Sequence, residues 1–562
     1  MRLVIVGGVA GGMSCAARAR RLDESAEIIV LERGPHPSFA NCGLPYYVGG
    51  EITDPGALLV QTPESLRAAL DIDVRVHHDV VGLDAATRTL SVDTPDGNIR
   101  ISYDALVLAP GAKPFLPPVP GLDSPRVSTL RTVDDATALR DRVTSGDRNA
   151  VVLGAGFIGV EAAEALALAG LRVDLVELAD HILPPVEREI AGPVTAELER
   201  TGVTVRTGVA AERIETGDDA DTVVLSDGTW LRADLIVLSV GVRPDTAVFG
   251  EAGVACERGA IIVDEHGRTN LDDVWAVGDA VAVADTDPVT GARRPVALAG
   301  PANRAGRLVA DDILRSGSSR PTPQPLGTAI VRAGEATVAM TGANRSALEA
   351  AGIPYFTVHL HPLQHAGYFP GATQVHLLAH VHAEDGTLLG AQAHGADGVD
   401  KRIDVLATAL RARMTAADLI DLDLAYSPPY GAAKDPVNML GMIAANVTDG
   451  TVRLWYPQDL PDVRRDCLIL DVRGAAEVDA VRIPGALNIA HTELRDRIDE
   501  VRGAADGRPV RILCASGVRS YLAYRLLTQH GFDDTATLSG GMLTLEAWLG
   551  HRADTVLEHG RN

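Results

Sequence analysis

Short, largely apolar runs recur along the chain at 2–6, 27–31, 106–112, 150–153, 171–177 and 510–513, the last two interrupted by charged residues. Most of them lack the in-out alternation of a half-solvated sheet, so they predict strands buried on both faces of parallel sheets. Helical stretches rich in alanine and leucine follow several of them, as in GGMSCAARARRL, GVEAAEALALAG and YLAYRLLTQHG. Strand then helix, repeated, predicts an α/β chain. The 562 residues predict about three to five domains.

Two of these units carry the same glycine pattern. In RLVIVGGVAGGMSCAARARRL a strand runs into a glycine turn and a helix, and the next strand ends on Glu32. Gly7 suits the tight turn, Gly12 close helix–strand packing, and Gly8 and Gly11 keep the loop small enough for a pyrophosphate. The middle glycine of the fingerprint is replaced by Val9. In AVVLGAGFIGVEAAEALALAG the fingerprint is complete at Gly154, Gly156 and Gly159, and its second strand ends on Glu177. A carboxylate there accepts from a free ribose 2'-OH and repels a 2'-phosphate, which favours NADH over NADPH. Two fingerprints in one chain imply two dinucleotides. The strand and turn at 106–112 and the segment ending Val277-Gly278-Asp279-Ala280 complete the first fold. That fold is therefore expected to be discontinuous, over 1–110 and 240–320, with a second nucleotide domain over 145–238.

Composition narrows the partners. Hydrophobic residues make up 46% and charged residues 22%, ordinary for a globular chain, while 4% aromatics leave the cores to Val, Leu, Ile and Ala. A net charge of −24 repels nucleic acid and anionic lipid. Phosphate ligands held by backbone amides remain compatible with it. No run reaches membrane-span length and no secretory leader pattern opens the chain, so the cytoplasm is the expected location. Five cysteines, at 15, 42, 256, 467 and 514, show no zinc-finger or CxxC spacing, and no metal site is expected.

With the two fingerprints and the Gly278-Asp279 pair in place, residues 1 to about 450 resemble the two-dinucleotide flavoprotein disulfide reductases. That resemblance implies FAD on the first fold, the nicotinamide cofactor on the second, and Asp279 against the flavin ribityl chain. It also assigns cofactor contacts to Arg33, Asn41, Ala109 and Gly111, and to Ile158, Glu161 and Gly241. The paired redox cysteines usual in that family are missing; SFANCGLPYYVGG offers Cys42 alone. Turn amides and helix-end charge are expected to favour its thiolate. Cys15 reads as core, and Cys256 as a surface cysteine. A lone redox cysteine must pair with an external thiol or cycle through sulfenic acid.

The Cys42 segment resembles that of coenzyme A–disulfide reductases, as do HPLQHAGYFPG at 361–371, DLAYSPPY at 423–430 and KDPVN at 434–438. That branch implies a homodimer built by an α+β domain over 325–450. Two tyrosines of that domain then serve the Cys42–flavin site of the other protomer: Tyr368 with Tyr426, or Tyr430 in its place. By residue type alone His361 and His365 would rank above them as acids; the resemblance reverses that order. Arg18 and Arg21 on the first helix become candidate anchors for CoA phosphates.

After residue 450 the composition shifts, and a strand at 510–513 leads into Cys514-Ala515-Ser516-Gly517-Val518-Arg519-Ser520 and a helix. Loop amides, the helix end and Arg519 are expected to cradle a negative sulfur and lower the Cys514 pKa. The spacing is one residue short of the phosphatase signature C-x5-R. With Asp471-Val472-Arg473, Pro484-Gly485-Ala486 and Leu538-Ser539-Gly540-Gly541, residues 458–557 resemble a rhodanese domain. Arg482 stands where that domain usually has histidine, and Cys467 reads as core.

The combined resemblance implies NAD(P)H-dependent reduction of CoA persulfide, polysulfide or CoA disulfide through Cys42, with Cys514 carrying sulfane sulfur. The expected partners are small thiols, persulfides and polysulfides, CoA and a second copy of the chain. Two alternatives stand beside it: an NADH oxidase or peroxidase acting through Cys42 sulfenic acid, and a redox-sensing interaction protein.

Overall fold

The computed structural model describes every residue except 284–286, 288, 294, 316–318, 561 and 562. It divides into two compact units, Met1–Asp180 with Thr201–Gly327, and His181–Arg200 with Thr328–Asn562. Among the described residues no helix is long and apolar enough to cross a membrane.

The first unit holds two parallel five-stranded sheets of the same design. In one, the strands run Val274–Ala276, Ala105–Leu108, Arg2–Val6, Glu27–Leu31 and Asp73–Arg75. In the other they run Val203–Thr207, Arg172–Glu177, Asn149–Leu153, Leu235–Leu238 and Val127–Ser128. The most apolar of these runs are buried almost throughout, as Leu3, Val4 and Ile5 illustrate at 0% exposure. In each sheet the first strand of the repeat is central, with its sequence neighbour on one side and a later strand on the other. The chain reverses direction of travel there, and the glycine turns lie at the carboxyl ends of the strands, where open α/β sheets bind ligands.

The second unit pairs an antiparallel with a parallel sheet. The antiparallel one runs Ala329–Ala333, Ala336–Gly342, Leu388–Gly395, Val375–His382 and Tyr355–Leu360. Leu388–Gly395 is buried at all eight positions, so both faces of the sheet are covered there. The helices Val399–Arg411 and Arg188–Arg200 both pack on that strand. This is why His181–Arg200, expected within the second nucleotide domain, belongs to the second unit: its Ile190, Ala191 and Val194 are buried. The parallel sheet, Leu454–Trp455, Thr535–Leu538, Val510–Leu513, Leu468–Asp471 and Leu487–Asn488, is the C-terminal α/β domain.

These two sheets are joined by a buried polar network. His359 places Nε2 2.9 Å from Glu189 and Nδ1 2.8 Å from the Ser539 hydroxyl. Arg345 bridges Glu187 at 3.0 Å and Glu189 at 2.8 Å, and His380 reaches Glu187 at 3.1 Å. Burial pushes the Glu189 carboxyl up, but His359 and Arg345 outweigh it and hold the group well below the carboxylate range. Such a network is costly to break, because each lost partner leaves a charge buried and unpaired.

Candidate functional site

Both glycine turns have the shape a dinucleotide needs. Gly7 adopts φ +99°, and a Cβ there would lie 2.0 Å from the Ala109 carbonyl oxygen. A Cβ on Gly12 would lie 2.0 Å from the Gly7 oxygen, and one on Gly159 1.9 Å from the Gly154 oxygen, so both helices sit against their strands as only glycine permits. Gly156 faces open space and starts the helix Phe157–Leu168, which leaves its amide end clear for a pyrophosphate. Gly11 packs against Val277, and Gly8 lies against Glu32.

The two acidic residues do more than await a ribose. Glu32 accepts from the amides of Gly8 at 2.7 Å and Gly34 at 2.8 Å. Glu177 accepts from Ala155 at 2.7 Å and Ala179 at 2.9 Å. Each carboxylate clips its glycine turn to the next loop and keeps lone pairs for ribose hydroxyls. Beyond Glu177 come Leu178, Ala179 and Asp180, and the neighbouring Arg206 is held by Asp174 at 2.8 Å.

Two expected cofactor contacts converge on Arg131, which sequence reasoning missed. Its guanidinium lies 3.8 Å from Asp279 and beside Gly111, where an added Cβ would meet it at 3.2 Å. Gly111 and Gly278 both take positive φ, the latter opening the turn Gly278–Ala280. Burial raises the Asp279 pKa and Arg131 opposes the shift. Arg33 is engaged by Asp245 at 2.8 Å, and Gly241 accepts from the Phe115 amide. Ala109 donates to Val6, and Ile158 is exposed.

Cys42 is exposed on the three-residue turn Asn41–Gly43, ahead of the short helix Leu44–Val48. The Asn41 side chain accepts from the Cys42 amide at 3.1 Å and lies 3.8 Å from its sulfur. Arg140 holds the segment from behind, donating to the Tyr47 and Ile52 carbonyls and stacking 4.4 Å from the Tyr47 ring. The expected stabilisation of the thiolate is reversed: partial desolvation raises the thiol pKa, Glu161 and Asp279 add to it, and only Arg131 opposes. A five-residue helix supplies little dipole, and the nearby carboxylates outnumber the guanidinium. Glu161 also accepts from the Tyr46 hydroxyl at 3.0 Å.

On the first helix, Arg18 donates through Nε and Nη2 to Asp311 at 2.8 and 2.6 Å, so its guanidinium is committed within the fold. Arg21 is exposed. Cys15 is fully buried, as expected of a core cysteine, and Cys256 is exposed.

In the second unit two of the three tyrosines meet. The Tyr368 and Tyr426 hydroxyls meet at 3.1 Å on the surface, 58 residues apart in sequence. That hydrogen bond raises the Tyr368 pKa. Tyr430 is exposed nearby in sequence, with its carbonyl accepting from Lys401. Both tyrosine loops are tied to Arg402, which is 1% exposed and donates to the Gln364 carbonyl at 2.6 Å and to Asp435 at 3.0 Å. The histidines are placed otherwise. His365 is buried against the Phe369 ring, and His361 bonds Thr544 at 2.8 Å and His376 at 2.6 Å.

Cys514 is 1% exposed at the end of Val510–Leu513, and its sulfur accepts from the Gly517 amide at 3.2 Å. Gly517 takes φ +101° and starts the helix Val518–Gln529. The loop is backed by the helix Gly541–Leu549, whose Met542 and Leu543 amides donate to the Cys514 and Ala515 carbonyls. Arg519 differs from expectation. Its two terminal nitrogens donate to the two Glu477 oxygens at 2.7 and 2.6 Å, so its charge is shared rather than free for the sulfur. Its pKa is raised first by Glu477, and the Cys514 sulfur contributes as well. Cys467 is half-buried at the edge of the core, and Arg482 pairs with Glu558 at 2.8 Å. Among the described residues no group of three ligating side chains is arranged to hold a metal.

Two dinucleotide cradles on one unit, with a lone thiol on the loop after the first, define a two-nucleotide oxidoreductase. The pyridine nucleotide-disulphide oxidoreductase family model matches residues 1–306, its dimerisation domain residues 329–436, and the rhodanese-like domain residues 456–548. The chain belongs to the pyridine nucleotide-disulphide oxidoreductases, with a rhodanese-like domain fused behind the dimerisation domain. It is 32% identical over 450 residues to the coenzyme A disulfide reductase of Staphylococcus haemolyticus, covering 79% of this chain and 100% of that one. It is 29% identical over 442 residues to an NADH oxidase of Methanocaldococcus jannaschii, covering 78% and 97%. Among solved structures, reduced Bacillus anthracis CoADR-RHD superposes with a TM-score of 0.94 at 39% identity, covering 98% of each chain. A NAD-dependent persulfide reductase from A. fulgidus superposes with 0.90 at 34% identity, covering 97% and 100%. The chain is thus an FAD- and NAD(P)H-dependent oxidoreductase related to the CoA disulfide reductases.

Proposed function

We propose that the protein reduces CoA persulfide, and polysulfide through it, with NADH, and CoA disulfide as a second substrate. When bound, FAD supplies the two-electron relay between the nicotinamide and Cys42. The Cys42 thiolate attacks the CoA-bearing sulfur of CoA persulfide. The S–S bond breaks, hydrosulfide leaves, and a Cys42–CoA mixed disulfide remains. Two electrons from NADH and one proton then return the Cys42 thiolate and release CoA thiol. The Tyr368–Tyr426 pair of one protomer serves the Cys42 of the other, donating a hydrogen bond to the leaving sulfur while staying neutral. Cys514 takes sulfane sulfur from a persulfide or polysulfide and hands it to CoA.

The observation that carries this reading is the Cys514 loop: an intact thiol held by the Gly517 amide at a helix start, in a chain that also carries an exposed thiol, Cys42, on the loop after a dinucleotide cradle. CoA disulfide reduction has no task for such a carrier. The test is anaerobic NADH oxidation with CoA disulfide in one series and CoA persulfide or polysulfide in the other, for wild type and Cys514→Ala. Faster turnover with the persulfide substrates, and a polysulfide rate that falls in the variant, supports the proposal. Preference for CoA disulfide and indifference to Cys514 would leave a CoA disulfide reductase with an independent appendage.

A further inference from the structure

The pairing of Arg519 with Glu477 bears on which sulfur donors Cys514 accepts, and this rests on the reading of Cys514 as a sulfur carrier. Glu477 lies on the helix Ala475–Ala480, not on the cysteine loop, and reaches across to Arg519 with both oxygens at 2.6 and 2.7 Å. It also accepts from the Gly474 amide at 3.1 Å, so its rotamer is fixed from its own side. The second arginine of this region, Arg473, is buried and matched by Asp471 at 2.7 Å. The sulfur is therefore left with the Gly517 amide and an arginine whose charge it shares with the Glu477 carboxylate. The Glu477 side chain is 40% exposed, so the pair meets solvent rather than the core.

We infer that Glu477 sets the donor specificity of Cys514, admitting sulfane sulfur whose carrier bears at most one negative charge and disfavouring compact dianions such as thiosulfate. A dianion arriving here meets the thiolate and the Glu477 carboxylate, against one guanidinium. A hydropersulfide or a thiosulfonate monoanion meets half that repulsion.

Two donors differing by one charge make the test. Methanethiosulfonate and thiosulfate both yield sulfur by the same step: the Cys514 thiolate attacks the sulfane sulfur, the S–S bond breaks, and its electron pair leaves with methanesulfinate or sulfite. Each adds one sulfur atom to Cys514 as a persulfide, read by intact mass and, in turnover, by thiocyanate formed when cyanide removes the sulfur. Flavin-loaded wild type, Glu477→Gln and Glu477→Asp are compared by the ratio of kcat/KM for the two donors. In Glu477→Gln the ratio is expected to shift toward thiosulfate by about fivefold, the size of one partly screened charge at close range. Glu477→Asp keeps the charge and is expected to keep the ratio within about twofold. A ratio unchanged in Glu477→Gln while Cys514 still loads overturns the inference and leaves the carrier reading standing. Equal losses with both donors reduce Glu477 to a positioning residue and overturn it too. If Cys514 gains no sulfur from either donor in any variant, the carrier reading falls and takes the inference with it.

Discussion

Cys42 and Cys514 are the same side chain in opposite settings. Cys42 is exposed on a three-residue turn, and its surroundings disfavour the thiolate through desolvation and the carboxylates of Glu161 and Asp279. Cys514 is buried and held by a backbone amide at the start of a twelve-residue helix. A thiol that is regenerated by electrons from a bound cofactor need not be poised as an anion by the protein alone. A thiol that must hold sulfur between two partners gains from fixed backbone donors. The difference teaches that reactivity at the two sites is controlled by different means, and variants should separate them.

The sharpest separation comes from removing each sulfur. Cys42→Ser is expected to lower NADH-dependent reduction of CoA disulfide by at least ~10³-fold, because the proposed mixed disulfide needs its sulfur. The same variant should still load sulfur on Cys514 when assayed by mass. Loss of both functions together would show that the sites are not independent. A double change, Tyr368→Phe with Tyr426→Phe, is expected to cost about 10²-fold in kcat for CoA persulfide through loss of hydrogen-bond donation, with Cys514 loading intact. Tyr430→Phe should fall within about twofold of wild type; a larger loss would move the role from Tyr426 to Tyr430.

Acid should strike the Cys514 side first. His361 and His394 are held well below the usual histidine range, and His376 is brought down to about 4, in each case first by burial. The unfolded chain takes up protons near pH 6.5 that the folded one refuses. The stability is therefore complete above that pH and is lost as pH falls from 6.5 toward 4, by up to ~1.4 kcal/mol per pH unit for each imidazole kept neutral. His361 touches Thr544 on the helix that backs the Cys514 loop, so calorimetry between pH 7 and 5 should show the C-terminal unit melting earlier. A melting temperature constant over that range would refute this. The smallest effect concerns Cys42 alone. Glu161→Gln removes a carboxylate that disfavours its thiolate, so its alkylation by iodoacetamide near neutral pH should speed up a few-fold. An unchanged pH–rate profile would remove Glu161 from the account.

Much of the fold was legible because burial and turn geometry leave local traces. Short apolar runs announced parallel strands, and Gly7, Gly12, Gly154 and Gly159 announced places where a side chain would collide with backbone. Cys42, Cys514 and both acidic strand ends were readable for the same reason, since each stands at a fixed offset from a strand and a turn. The α+β character of 325–450 came from resemblance, and its five-stranded antiparallel order could not have been read from periodicity, since Leu388–Gly395 is buried throughout and shows no alternation.

What the sequence by itself determined was the repeated nucleotide design, the two sulfur loops and the residues each could use, because these depend on contacts within a few tens of residues. Only the tertiary structure decided that Tyr368 meets Tyr426 and that Arg402 ties their loops together. It alone showed that Arg131 joins Gly111 to Asp279 and that Glu477 neutralises Arg519. Ion pairs and hydroxyl contacts between residues tens of positions or more apart leave no periodic trace, since charged side chains at such separations are indistinguishable from a solvated surface until packing brings them together.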